Sequence, residues 1–184
     1  MRILYSDMIL FLGDSITEWW DRDIFNRDYS QFYPVVLAKA GYTTRDLLYL
    51  IEDGRIDNIN PKMVVMLIGT NNSTIGDTAM NVANDIKKII DMLFQRFADT
   101  RVLLRGILPR GDNLLLNLRN MEVNKIISGF SSDPRITYVE HGSEFLDSNG
   151  NILHDLMPDA LHLSWQGYEV LSKVLTPVIK ILLK

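Results

Sequence analysis

Five short apolar runs separated by segments of helical spacing predict an α/β fold, a three-layer α/β/α sandwich about a five-stranded, mostly parallel sheet. Three observations carry that expectation. The runs are near-continuous rather than alternating, as strands buried on both faces are. Several of them stop abruptly at a glycine. The stretches between them show the three-and-four spacing of amphipathic helices, so strand and helix alternate along the chain.

The first expected strand is Met8–Leu12, which ends at Gly13, and a weaker second run, Pro34–Ala40, ends at Gly41. Met63–Ile68 is the most apolar run and ends at Gly69. Arg101–Leu104 leads through Gly106 to Pro109, and Ile136–Val139 is the fifth run. Helices are expected over Thr43–Asp53, with Gly54 as its C-terminal stop, and over Thr78–Ala98, capped by Asp77 or Thr78. A third is expected from about Leu116 to Phe130 and a fourth over Ser164–Leu183, which Pro177 should kink or end early. Neither repeats nor linkers interrupt this pattern, so residues 1–184 are expected to form one domain.

Composition narrows the chemistry. The chain has 184 residues, 47% of them hydrophobic and 23% charged, the balance of a globular protein with its own core. It contains no cysteine, which excludes disulfides, thiolate metal sites and cysteine nucleophiles. A net charge of −4 provides no electrostatic footprint for a phosphate backbone, so nucleic acid is not an expected partner. No run approaches the ~20 apolar residues of a membrane span, and Met1–Phe11 is too interrupted for an export signal. A cytoplasmic location is the expectation. Gly-x-Ser-x-Gly, P-loop, Gly-x-Gly-x-x-Gly and His-Glu-x-x-His motifs are all absent.

In parallel sheets ligands gather at the carboxyl ends of strands, which directs attention to the residues just after each run. Ser15 follows the first strand at a helix mouth, where it is placed either to cap that helix with Asp14 or to act as a nucleophile. Asp159 and His162, three residues apart, can face one another, so that the carboxylate orients an imidazole acting as base; alone, such a pair is common. Asn71 and Gly41 follow the third and second runs and could donate to an oxyanion, or simply form turns. Together these residues make a complete set for acyl transfer. Trp19, Trp20, Phe25, Tyr29, Phe32 and Tyr33 crowd the segment after Ser15, either lining a pocket or packing a short helix. Arg110 reads as either a structural ion-pair residue or a substrate contact, with the structural role preferred.

Gly13-Asp14-Ser15, Gly41, Gly69-Thr70-Asn71-Asn72 and Asp159-x-x-His162, in this order, resemble the SGNH (GDSL-type) hydrolase superfamily over Phe11 to Leu183. Within it the chain is most similar to the catalytic subunits of intracellular platelet-activating-factor acetylhydrolase and their bacterial relatives. That likeness is carried by Thr43-Thr44-Arg45, Asn60-Pro61-Lys62, Gly106–Gly111, Asn124, His154-Asp155 and Leu161-His162-Leu163. The second block departs from the family pattern: Leu37–Tyr42 lacks the usual glycines and the polar residue after Gly41, which is assigned by its register to Thr43-Thr44. An apparent extra residue also separates His154-Asp155 from Asp159.

The resemblance implies a flavodoxin-like hydrolase fold and a serine esterase acting on short-chain, above all acetyl, esters. Ser15 would be the nucleophile, His162 the base and Asp159 its orienting acid. The N–H groups of Ser15 and Gly41 and the Asn71 side chain would form the oxyanion hole. Asp14, which would also hold the Ser15 turn, Tyr42 and Met157 are the candidate substrate contacts. A small ester is the expected partner, no metal or cofactor is required, and a homodimer is compatible with the resemblance. The alternatives are a thioesterase or lysophospholipase on the same triad, or a weakly active binding module.

Overall fold

The computed structural model describes residues 7–184. Five strands, β1 (Ile9–Gly13), β2 (Val35–Ala38), β3 (Met63–Leu67), β4 (Arg101–Arg105) and β5 (Ile136–Val139), form one sheet in the order β2-β1-β3-β4-β5. Every pairing is parallel; Phe11 on the central β1, for example, lies opposite Val36 on one side and Val65 on the other.

The strands read as continuous apolar runs because both faces are covered. Leu10, Leu12, Val64, Met66, Val102 and Leu104 point to one face, where they pack with α3 (Thr44–Glu52), α5 (Ala79–Arg96) and α6 (Leu114–Ile127). The intervening Ile9, Phe11, Met63, Val65, Leu67 and Leu103 point to the other, against α1 (Ser15–Glu18), α2 (Arg22–Tyr29) and α7 (Trp165–Leu182). Strand side chains alternate faces, so two apolar layers require apolar residues at every position. A short helix, α4 (Thr70–Thr74), follows β3.

The expected strands are found to within a residue or two. Helix α5 starts after Thr78, whose side chain accepts from Asn81 N–H. Helix α6 begins earlier than its apolar spacing indicates because the Asn113 side chain accepts from the N–H groups of Leu115 and Leu116. It ends at Ile127, and residues Ser128–Ser132 tighten into a 3₁₀ turn. Pro177 does not end α7, which runs on to Leu182. Leu175 and Ile179, both fully buried, hold its last turns against the sheet across the one hydrogen bond that proline removes. Among the described residues no helix is long and apolar enough to cross a membrane.

Candidate active site

The carboxyl edge of the sheet collects the selected residues. Asp14 caps α1 by accepting from Ile16 N–H at 3.0 Å, so Ser15 becomes the first residue of a helix that starts directly off the central strand. Gly13 is required there: a Cβ would meet the Leu67 carbonyl at 2.7 Å and the Thr17 hydroxyl at 2.3 Å. Both functions proposed for the Asp14–Ser15 pair therefore separate cleanly, with Asp14 as the cap and the Ser15 hydroxyl left over.

That hydroxyl lies 3.0 Å from Nε2 of His162, a residue 147 positions away. On the other side of the ring, His162 Nδ1 is 2.6 Å from Asp159 Oδ2. A carboxylate can only accept, so Nδ1 carries the proton and donates to it, which leaves Nε2 as the acceptor for the Ser15 O–H. Asp159 Oδ1 also accepts the N–H groups of Leu161 and His162 at 3.0 and 2.6 Å. Partial burial raises the carboxyl pKa, but these bonds outweigh it and leave Asp159 below the usual carboxylate range, ionised. The turn holding the pair carries strain: Ala160 has φ +59, a left-handed conformation costing a residue with a Cβ about 1–2 kcal/mol. Ala160 N–H donates to Met157 O and its carbonyl accepts from Gly111 N–H, and these bonds fix it.

On the far side of β1, Gly41 sits in the turn after β2 with φ +83, and its N–H donates to no group among the described residues. Asn71, on α4 after β3, spends one side-chain N–H on the Tyr42 carbonyl at 2.9 Å and has a second N–H to offer. Its neighbour Asn72 is fully buried and ties α4 to the start of α3, accepting from Thr44 N–H at 3.0 Å and donating to the Thr44 hydroxyl at 2.8 Å. Arg110 donates to the Thr70 carbonyl and the Thr74 hydroxyl and pairs bidentately with Asp112, a bracing role for α4.

A buried polar cluster underlies the nucleophile. Arg105, at the end of β4, lies within 3.4 Å of His141 Nε2 and packs over the Trp20 ring at 5.6 Å. His141 Nδ1 faces the Val139 carbonyl, and burial, then the Arg105 charge, depress its pKa to about 3, so it accepts from Arg105 as a neutral ring. Burial pushes the Asp14 carboxyl up to about 6 against the opposing pull of Ile16 N–H, Arg105 and His162.

Three expected substrate contacts lie elsewhere in the fold. Met157 is 0% exposed, a member of the core under α7, and Asp14 is 1% exposed, so neither presents surface to a substrate. Side-chain size drew Met157 into the core; the cap drew Asp14 inward. Tyr42 is half-buried, packs against the core on the α3 side, and reaches the site through its carbonyl. Of the aromatic segment, Trp20 and Tyr29 are core residues, whereas Trp19 is 51% exposed and lies 4.6 Å from the His162 ring. Glu18 was missed altogether; its carboxylate accepts from Ala40 N–H at 2.6 Å. Its position three residues after Ser15 on a helix was the available signal. A separate cavity of about 550 Å³ lies beside α6, lined by Ile107, Met121, Tyr138 and Glu140 among others, and by none of Ser15, Gly41, Asn71, Asp159 or His162.

A doubly covered parallel sheet with a hydroxyl, an imidazole and a carboxylate hydrogen-bonded in series at its carboxyl edge defines a hydrolase-type α/β protein. The model of the GDSL-like lipase/acylhydrolase family matches residues 11–170, and the chain belongs to that family of carboxylic ester hydrolases. It is 32% identical over 170 residues to platelet-activating factor acetylhydrolase IB subunit alpha1 of Bos taurus, covering 91% of this chain and 72% of that one. The alpha2 subunit of Homo sapiens is likewise 32% identical, over 182 residues covering 96% and 77%. A GDSL-like lipase from Bacteroides thetaiotaomicron shares the fold with a TM-score of 0.82 at 18% identity over 95% and 88% of the two chains. An acetylxylan esterase from Geobacillus stearothermophilus does so at 0.73 and 16%, over 97% and 96%.

Proposed function

We propose that this protein is a serine esterase of short-chain, above all acetyl, esters. The observation that carries the reading is the hydrogen-bonded series from Asp159 through His162 to Ser15. In this reaction the Ser15 oxygen attacks the ester carbonyl while His162 Nε2 takes the hydroxyl proton, and the Asp159 carboxylate holds the resulting imidazolium. The carbonyl oxygen gains negative charge and receives the Ser15 and Gly41 N–H groups and the free Asn71 N–H. Collapse breaks the ester C–O bond, His162 returns the proton to the departing alcohol, and the acyl group stays on Ser15. Water then attacks the acyl carbonyl and gives a proton to His162; the acyl C–O bond to Ser15 breaks, His162 returns that proton to the Ser15 oxygen, and the acid leaves.

The acetyl preference draws support from the relatives, named for acetylhydrolase activity, and from an acetylxylan esterase of the same fold. Hydrolysis of p-nitrophenyl acetate, butyrate and octanoate by wild type and Ser15→Ala tests it. Wild type should favour acetate, and the variant should lose ~10³ or more in rate. Equal, slow rates for both proteins on all three esters would refute the esterase reading. Preference for octanoate would replace the acetyl assignment with a lysophospholipase- or thioesterase-type acylhydrolase.

A further inference from the structure

The turn that carries Gly41 has few means of staying in place. Tyr42 N–H donates to Lys39 O at 3.0 Å, and Gly41 has φ +83 at the third of the four positions, the signature of a type II turn. In such a turn the central peptide stands roughly perpendicular to the turn's own hydrogen bond, so the Gly41 N–H is available to an outside acceptor. Lys39, Ala40 and Gly41 are all exposed, and the space around the Gly41 Cα on its side-chain face is empty to 4 Å. Packing reaches only the last residue of this turn, Tyr42; Lys39, Ala40 and Gly41 are held by hydrogen bonds. At its start Lys39 N–H donates to Gly13 O over a long 3.4 Å, and at its end Tyr42 O accepts from Asn71 Nδ2 at 2.9 Å. The middle is held by one bond, from Ala40 N–H to Glu18 Oε2, short at 2.6 Å and charge-assisted.

Glu18 closes the same four-residue helix that Ser15 opens, and among the described residues it enters no ion pair. Its carboxylate therefore joins the helix of the nucleophile directly to the peptide preceding the Gly41 N–H. We propose that Glu18 is a positioning residue for oxyanion stabilisation: by accepting from Ala40 it fixes the Gly41 N–H relative to the Ser15 N–H. This rests on the esterase reading above. Freed from Glu18, the turn samples orientations in which the Gly41 donor misses the developing charge. The substrate's ground-state binding is untouched, because the oxyanion forms only in the transition state.

Kinetics of Glu18→Ala, Glu18→Gln and Ser15→Ala on p-nitrophenyl acetate, with thermal melts of each, test the proposal. Glu18→Ala is expected to lower kcat by ~10–100-fold, short of the ~10²–10³ for outright loss of a donor, with KM within about threefold. Its Tm should stay within about 2 °C of wild type, as for other exposed substitutions. Glu18→Gln retains a side-chain oxygen that accepts the same N–H and should keep kcat within about threefold of wild type. The proposal is overturned if Glu18→Ala keeps kcat, if the loss lies in KM or tracks a fall in Tm, or if Gln and Ala lose kcat equally. Hydrolysis that depends on Ser15 but ignores Glu18→Ala removes the positioning role alone. Hydrolysis no faster than that of Ser15→Ala removes the esterase reading and this proposal with it.

Discussion

Asp14→Asn separates what the buried carboxyl costs from what it does. Burial raises its pKa from the ordinary 3.8 to about 6, so between those values the folded state binds a proton that the unfolded chain does not. Stability from this group is therefore fully present below about pH 3.8 and is lost as pH rises through about 6. At about 1.4 kcal/mol per pH unit, the loss amounts to ~3 kcal/mol at neutral pH. The amide keeps the oxygen that accepts from Ile16 N–H but cannot ionise. Asp14→Asn should consequently gain on wild type by ~3 kcal/mol as pH is raised from about 3.5 to 7. Urea unfolding of both proteins at half-unit pH intervals reads the difference directly. His141, depressed to about 3, acts in the opposite sense, losing stability as pH falls below about 6.5, but it is present in both proteins and cancels. The same substitution should lower kcat on p-nitrophenyl acetate, since a negative charge beside His162 is removed. A stability difference that is flat with pH, or that grows toward acid, would refute the reasoning.

Asn71→Ala should lower kcat for p-nitrophenyl acetate by ~10²–10³ with little change in KM, and an unchanged kcat would remove Asn71 from the oxyanion site. Gly41→Ala meets no steric obstacle, yet φ +83 costs a residue with a Cβ about 1–2 kcal/mol, so the turn should flatten toward negative φ and kcat should fall; steady-state kinetics beside a circular-dichroism melt check both. Asp159→Asn reverses the group facing His162 Nδ1 from acceptor to potential donor and favours the wrong tautomer; a loss of up to ~10⁴ in kcat is expected, measured against Ser15→Ala as the floor. Ile90→Ala, fully buried between α5 and the sheet, should destabilise by about 2–5 kcal/mol in urea unfolding while leaving KM alone.

The fold was legible because burial on both faces of a parallel sheet writes itself into the chain. Met63–Leu67 has no polar residue, and α5 repeats apolar residues at Val82, Ile86, Ile89, Ile90 and Leu93. The placement of the candidate residues followed the same logic, since each stands shortly after a strand or before the last helix. Boundaries were less legible. The N-terminus of α6 depends on Asn113, and α7 passes Pro177 because packing outweighs a single lost hydrogen bond.

What the sequence by itself determined is therefore the fold class, the family and the candidate residues Ser15, Gly41, Asn71, Asp159 and His162. Only the tertiary structure decided how they meet. It brings Ser15 and His162 together across 147 residues, and it turns Met157 and Asp14 inward. It lays Trp19 on the imidazole and seats Arg105 on a neutral His141. It also reaches from Glu18 to Ala40. The reason is physical. Periodicity and turn chemistry are local and act along the chain, whereas a hydrogen bond between residues far apart depends on strand order and helix placement, which no local pattern encodes.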